Sequence, residues 1–185
     1  MARRLHIFDF DATLFRSPEP PEWWRGSHDD WWHQILSLVP PCLPKEPPKD
    51  WWIESTVRAV QDALKEDESL VVLLTGRQES VFKKRIQSLL WQHGLAFDEV
   101  HLSDQPDTQV FKAGKIRELL ESYPDIEQVD LWDDMVSMVP AYQAVVEEAG
   151  IGFEFHEVNV EARKSPCTEN EFLTGKVASR YSHSV

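Results

Sequence analysis

The stretch LHIFDFDATLF, residues 5–15, places a short apolar run ahead of two aspartates two positions apart, Asp9 and Asp11. An apolar run closed by a polar cluster reads as a strand buried on both faces. The same reading applies to residues 70–74 in SLVVLLTGR, and FDEVHLS (97–103), EQVDLWDD (127–134) and FEFHEV (153–158) supply three further strands. Between them, apolar residues recur at helical spacing. Ile53, Val57, Val60 and Leu64 make one stripe, and Phe82, Ile86, Leu89, Leu90 and His93 a second, stopped by Gly94. Ile116, Leu119, Leu120 and Tyr123 make a third, ended by Pro124. Tyr142, Val145, Val146 and Ala149 make a fourth, with Pro140 suited to its first turn and Gly150 to its C-terminal cap. Strands alternating with helices build βαβ units, so the fold class is α/β with a mainly parallel central sheet.

The chain of 185 residues is long enough for one core domain. Its net charge of -13, from 19 basic and 32 acidic side chains, opposes a broad grip on a phosphate backbone. Residues 17–52 break the alternation: they hold eight of the twelve prolines and six of the eight tryptophans. We read them as an insertion after the first strand, within a domain spanning 1–160, followed by a loosely held tail at 161–185. Cys42 and Cys167 lie far apart without ligand spacing, which argues against a disulfide framework and a zinc site. The apolar run near the start is broken by Asp9 and Asp11, and no stretch reaches the ~18 apolar residues of a membrane span. An intracellular location, cytoplasmic or nuclear, is the expectation.

Three strand ends carry complementary polar groups. The first delivers Asp9, Asp11 and Thr13, the second Thr75, Gly76 and Arg77, and the fourth Asp133 and Asp134. In a parallel sheet these ends share one edge, where open α/β sheets bind ligands. Converging carboxylates repel one another unless a cation lies among them, and hard oxygen donors beside a phosphate suit Mg²⁺. A lysine would complete the site by neutralising phosphoryl oxygens; Lys112 and Lys115 both stand near the start of the third helical stripe.

These residues resemble the haloacid dehalogenase (HAD) superfamily of phosphohydrolases. Its first motif, a strand ending in Asp-x-Asp-x-Thr, matches Asp9, Asp11 and Thr13; its second matches Thr75; its lysine matches Lys112 best; its acidic pair matches Asp133 and Asp134. Within the superfamily, FDFDATLF, LLTGR and the segment from Thr108 to Lys112 are similar to the HAD domain of fungal Swiss Army Knife RNA repair-like proteins. Residue 12, often glycine in the superfamily, is alanine, and Met135 stands where related polynucleotide-end phosphatases often carry arginine.

The resemblance implies that Asp9 attacks phosphorus to form an aspartyl-phosphate and that Asp11 serves as acid and then base. It further implies that Thr75 and Lys112 bind and neutralise the phosphoryl group, with Thr13, Gly76 and Arg77 around the substrate. Asp9, Asp11 through its backbone carbonyl, Asp133 and Asp134 would hold Mg²⁺. The expected partner is a phosphorylated substrate, extending to an RNA or nucleotide end. The competing reading is a non-catalytic binding module that recruits a partner through the insertion. Its tryptophan pairs suit either stacking on bases or packing a small cap.

Overall fold

A computed structural model describes residues 3–159, so the tail expected at 161–185 lies outside the described residues. Five parallel strands form one sheet: β1 (Arg3–Phe8), β2 (Ser69–Gln78), β3 (Glu99–Ser103), β4 (Ile126–Asp133) and β5 (Gly152–Glu157), in the order β3-β2-β1-β4-β5. The expected α/β class is what the chain adopts. β1 is central because it is apolar on both sides, and side chains alternate across a strand. Leu5 and Ile7 enter one core with Val129 and Leu131, beneath α4 (Thr108–Ser122) and α5 (Val139–Glu148). Phe8 enters the opposite core with Val71 and Leu73, beneath α2 (Glu54–Ala63) and α3 (Glu79–His93). Each fully buried aliphatic or Phe side chain contributes about 1.5–3 kcal/mol.

Local signals set the helix ends. Gly94 closes α3 at φ 72, in the left-handed region that glycine enters without a Cβ clash. Pro140 sits in the first turn of α5, and the Asp107 carboxylate accepts from the Val110 amide to cap α4. The apolar run of the second strand stops at Leu74, but the strand itself continues to Gln78, carrying Thr75, Gly76 and Arg77.

The segment at 17–52 folds as a small cap containing α1 (His28–Trp32) and two short 3-10 turns. Trp31 is fully buried and donates its indole N–H to the Pro18 carbonyl at 2.7 Å. Trp23 and Trp24 meet it edge-on at 6.4 and 5.5 Å, and Cys42 shares their cluster. Trp51 and Trp52 pack with Phe15 in the main core, where Trp52 stacks on His93 at 4.3 Å. These rings therefore build the cap and fasten it to the sheet. Cys42 is disulfide-bonded, a correction to the reading of the cysteine spacing as arguing against disulfides. Cys167 lies outside the described residues. No helix among the described residues is long and apolar enough to cross a membrane.

Candidate active site

Phe8 is in register with Trp132 on β4 and with Leu73 on β2, so the residues that follow these positions emerge side by side at one sheet edge. The Asp9 amide donates to the Trp132 carbonyl at 3.0 Å, continuing the pairing into the site. This brings Asp9 next to Asp133, and the carboxylate oxygens of Asp9, Asp133 and Asp134 lie within 4.8 Å of one another.

Lys112, on the first turns of α4, reaches back into this group. Its Nζ donates to Asp9 Oδ1 and to Asp133 Oδ2, each at 2.7 Å, while only 4% of the residue is exposed. Burial works to lower the Lys112 pKa, but Asp9 and Asp133 outweigh it and hold the ammonium strongly protonated. Burial pushes the Asp9 pKa well above the usual carboxylate range; Lys112 opposes this, and Asp133, Asp11 and Asp134 add to it. Lys115 lies outside this arrangement, pairing with Glu118 on the helix surface. The other Asp133 oxygen accepts from the Met135 amide at 2.8 Å, which fixes the carboxylate's orientation.

Asp11 faces a different partner. Arg77 donates to both its oxygens, at 2.9 Å from Nε and 2.8 Å from Nη2, and Ser17 donates to Oδ1 at 2.5 Å. Burial tends to raise the Asp11 pKa, yet the Arg77 charge and these hydrogen bonds together hold it below the ordinary value. The same guanidinium donates from Nη1 to the Trp32 carbonyl at 2.7 Å and to the Ser37 hydroxyl at 2.5 Å, and lies 4.7 Å from the Phe82 ring centroid. Arg77 thus joins Asp11, the cap and α3 in one buried knot.

The bidentate geometry requires a planar guanidinium. Arg77→Lys is expected to cost about 1.5–3 kcal/mol, the worth of hydrogen bonds to a charged group. The Asp11 pKa is lower folded than unfolded, so this contribution is present above about pH 4 and is lost as pH falls through the folded value. Urea melts from pH 7 downward should show the wild-type advantage complete at pH 7 and shrinking progressively in acid; a gap that stays constant over the whole range would assign the loss to packing.

The other residues expected at the site are placed as follows. Thr75 is fully buried, its Oγ1 accepting from the Arg77 amide at 3.3 Å. Thr13 is fully buried, with no hydrogen-bond partner for Oγ1 among the described residues. Ala12 sits at φ 55, a left-handed conformation that costs a non-glycine residue roughly 1–2 kcal/mol. Gly76 lies against α4: a Cβ there would sit 2.5 Å from Thr108 Oγ1 and 2.6 Å from its Cγ2. Gly76→Ala should therefore destabilise by about 1–3 kcal/mol, by overpacking between β2 and α4; chemical denaturation measures it, and an unchanged midpoint would mean that Thr108 gives way freely.

Sequence reasoning did not find Ser17, Ser37 or the Trp32 carbonyl. They come from the cap, and only the folded cap brings them to Arg77. A cavity of about 710 Å³ opens at the C-terminal ends of β2 and β3, lined by Gln78, Glu79, Lys83, Lys84, Ser103 and Asp104 among others. Met135 and Val136, just after the acidic pair, and Val110 on α4 are exposed apolar side chains.

The family model for HAD domain family 1 in Swiss Army Knife RNA repair proteins matches residues 23–168, a range that takes in Thr75, Lys112, Asp133 and Asp134 and begins after Asp9 and Asp11. The uncharacterized protein YMR265C of Saccharomyces cerevisiae is 25% identical over 167 residues, covering 76% of this chain and 36% of that protein. The chain thus spans about a third of the length of this relative. Among solved structures, a chain of the Pnkp1/Rnl/Hen1 RNA repair complex aligns at TM-score 0.50 and 15% identity, over 85% of this chain and 43% of that one. The HAD domain of the effector protein Lem4 from Legionella pneumophila aligns at TM-score 0.50 and 14% identity, over 96% of each chain. Identities this low speak to a shared HAD-like Rossmannoid fold.

Proposed function

The chain belongs to HAD domain family 1 in Swiss Army Knife RNA repair proteins, and from that premise we propose that it is a Mg²⁺-dependent phosphohydrolase acting through an aspartyl-phosphate on Asp9. The observation that carries this reading is the Lys112 ammonium, buried at 2.7 Å from both Asp9 and Asp133. A scaffold has no use for three converging carboxylates with a single positive charge among them, since like charges at this range disfavour one another.

The donors fit magnesium. Asp9, Asp133 and Asp134 offer hard oxygens from converging side chains, and one lysine leaves their charge undercompensated. When bound, the ion would supply charge compensation to these carboxylates and to phosphoryl oxygens. In the first half-reaction an Asp9 carboxylate oxygen attacks phosphorus, the bond to the leaving oxygen breaks, and Asp11 protonates that oxygen. In the second, Asp11 takes a proton from water as the water oxygen attacks phosphorus. The Asp9–phosphorus bond breaks and inorganic phosphate leaves. Lys112 stabilises the phosphoryl oxygens during both transfers.

Arg77 holds Asp11 in its ionised form, ready for the second half-reaction. An incoming phosphoryl anion raises the pKa of a neighbouring carboxyl, as a like charge does, and so favours the protonated acid needed in the first. The same Arg77 clamp is the one observation that favours a non-catalytic binding module, because it ties Asp11 to the cap.

A terminal phosphate on RNA or a nucleotide is the proposed substrate class. The net charge of -13 opposes tracking along a polyanion, whereas one phosphate needs only a local cation. The 710 Å³ cavity with Lys83 and Lys84 offers room at the same edge for the rest of the substrate. The test is phosphate release with and without Mg²⁺ from an aryl phosphate and from a 3′-phosphorylated oligonucleotide. Faster release from the oligonucleotide supports the end-processing reading. Release from the aryl phosphate alone keeps the phosphohydrolase and removes the RNA end, and release from neither favours the binding module.

A further inference from the structure

Away from the active edge, one face of the sheet carries a second group of ligand-type side chains. His6 on β1 is in register with Asp130 on β4, and Asp130 with Glu154 on β5. His156 follows two residues along β5, on the same face. The donor atoms of Asp130, Glu154 and His156 lie within 4.8 Å of one another. His156 Nε2 is 3.6 Å from Asp130 Oδ1 and 3.9 Å from Glu154 Oε1, and His6 Nδ1 is 3.8 Å from Asp130 Oδ2. All are too long for hydrogen bonds.

Asp130 and His6 are 2% and 3% exposed, yet Asp130 Oδ2, His6 Nδ1 and His156 Nε2 have no hydrogen-bond partner among the described residues. Buried polar atoms are seldom left so, because each gives up its hydrogen bonds to water without replacement. The other His6 nitrogen, Nε2, lies 3.2 Å from Glu66 Oε2. In the neutral tautomer whose proton faces this carboxylate, Nδ1 presents a lone pair toward the Asp130 carboxylate. Two acceptors then face each other, and a cation between them resolves the conflict. A carboxylate behind a histidine is also how metal-bound imidazoles are commonly oriented. Arg4 Nη1 stands 3.6 Å from Asp130 Oδ2, beyond hydrogen-bond reach, on a half-exposed side chain. Its one charge does not balance the three carboxylates of Asp130, Glu154 and Glu66.

We propose that Asp130, Glu154 and His156, with His6 as a fourth donor, form a second metal site for a divalent transition ion of the Zn²⁺ class. Donors about 2.0–2.2 Å from a tetrahedral Zn²⁺ lie roughly 3.3–3.6 Å apart; His156 stands 3.6 and 3.9 Å from Asp130 and Glu154, and His6 3.8 Å from Asp130, so the donors must draw in by a few tenths of an ångström or more to close on the ion. Mixed nitrogen and oxygen donors suit such an ion better than Mg²⁺. Asp130 precedes Asp133 by three strand residues, about 10 Å, and faces the opposite side of the sheet, so the two sites are independent. The ion would tie edge strand β5 to β4 and to the central strand β1.

The test is a Co²⁺ titration of the whole chain after chelation, read by visible absorption and followed by Zn²⁺ competition. Wild type should bind one equivalent with the strong absorption of a tetrahedral site, displaced by Zn²⁺. His156→Ala should weaken binding by about 100-fold, and Glu66→Gln, at the His6 nitrogen turned away from the proposed ion, by about 10-fold. Because His156 stacks on Trp132 at 4.1 Å, the exposed Glu154→Gln serves as the variant that leaves packing intact, and it too should weaken binding. Asp133→Asn should keep the signal. No tetrahedral absorption, a signal unchanged in Glu154→Gln and His156→Ala, or one lost only in Asp133→Asn would each overturn the site.

Discussion

Asp9→Asn is expected to lower Mg²⁺-dependent phosphate release by about 10⁴-fold or more, the scale on which loss of a covalent nucleophile is felt. The argument rests on the side chain's two functions. As a shape, the asparagine fills the same space after Phe8, and Lys112 retains Asp133 at 2.7 Å, so the fold has little reason to change. As chemistry, an amide oxygen does not attack phosphorus to give an acyl-phosphate, and the neutral side chain withdraws one charge from the metal-binding group. The variant should therefore keep its near-ultraviolet circular dichroism and lose turnover. Acid-quenched wild type incubated with a ³²P-labelled substrate should carry label that hydroxylamine removes, whereas the variant should carry none. Turnover in Asp9→Asn within tenfold of wild type would move the nucleophile elsewhere.

The sheet was legible because its signals are local. Buried parallel strands are apolar runs, and 5–8 and 70–74 were such runs, alternating with helical stripes that end at a Gly or Pro. The convergence of Asp9 and Asp133 followed from topology, because strand ends of a parallel sheet share an edge, whereas the sequence offered both Lys112 and Lys115 and the family resemblance pointed to Lys112. The clamp on Asp11 was not legible. Ser17 and Ser37 sit in a proline-rich segment with no periodicity, and their contacts to Asp11 and Arg77 exist only once Trp31 has packed the cap. His6 was equally opaque. Taken by itself inside a strand it reads as a core or sheet-face residue, and only the register with Asp130 and Glu154 turns it into part of a cluster. Side-chain chemistry at strand ends was readable from order along the chain, whereas chemistry across strands required the pairing.

Lys112→Met is expected to cost about 3–5 kcal/mol in the absence of Mg²⁺, the penalty for removing one partner of a buried ionic group. Methionine matches the length of the lysine stem, so little of the loss comes from packing. It comes from leaving Asp9 and Asp133 facing each other without the ammonium that donates to both. The Lys112 pKa is raised in the folded state, so its contribution is fully present below the unfolded value near 10.4 and is lost only as pH rises through the folded one. The wild-type advantage should thus be complete at pH 7. On acidification it should shrink from the other side, starting with Asp9, whose pKa lies well above the carboxylate range and which escapes its charge by taking up a proton. Mg²⁺ supplies the missing positive charge to the same carboxylates. Denaturant midpoints with and without the ion should show a larger Mg²⁺ stabilisation in Lys112→Met than in wild type, following the dependence of stability on ligand binding. Activity should stay low even when Mg²⁺ restores stability, because the ion replaces the lysine's charge and not its hydrogen bonds to phosphoryl oxygens. Equal Mg²⁺ stabilisation in the two proteins would place the ion away from Asp9 and Asp133, and recovered turnover would reduce Lys112 to a structural counter-charge.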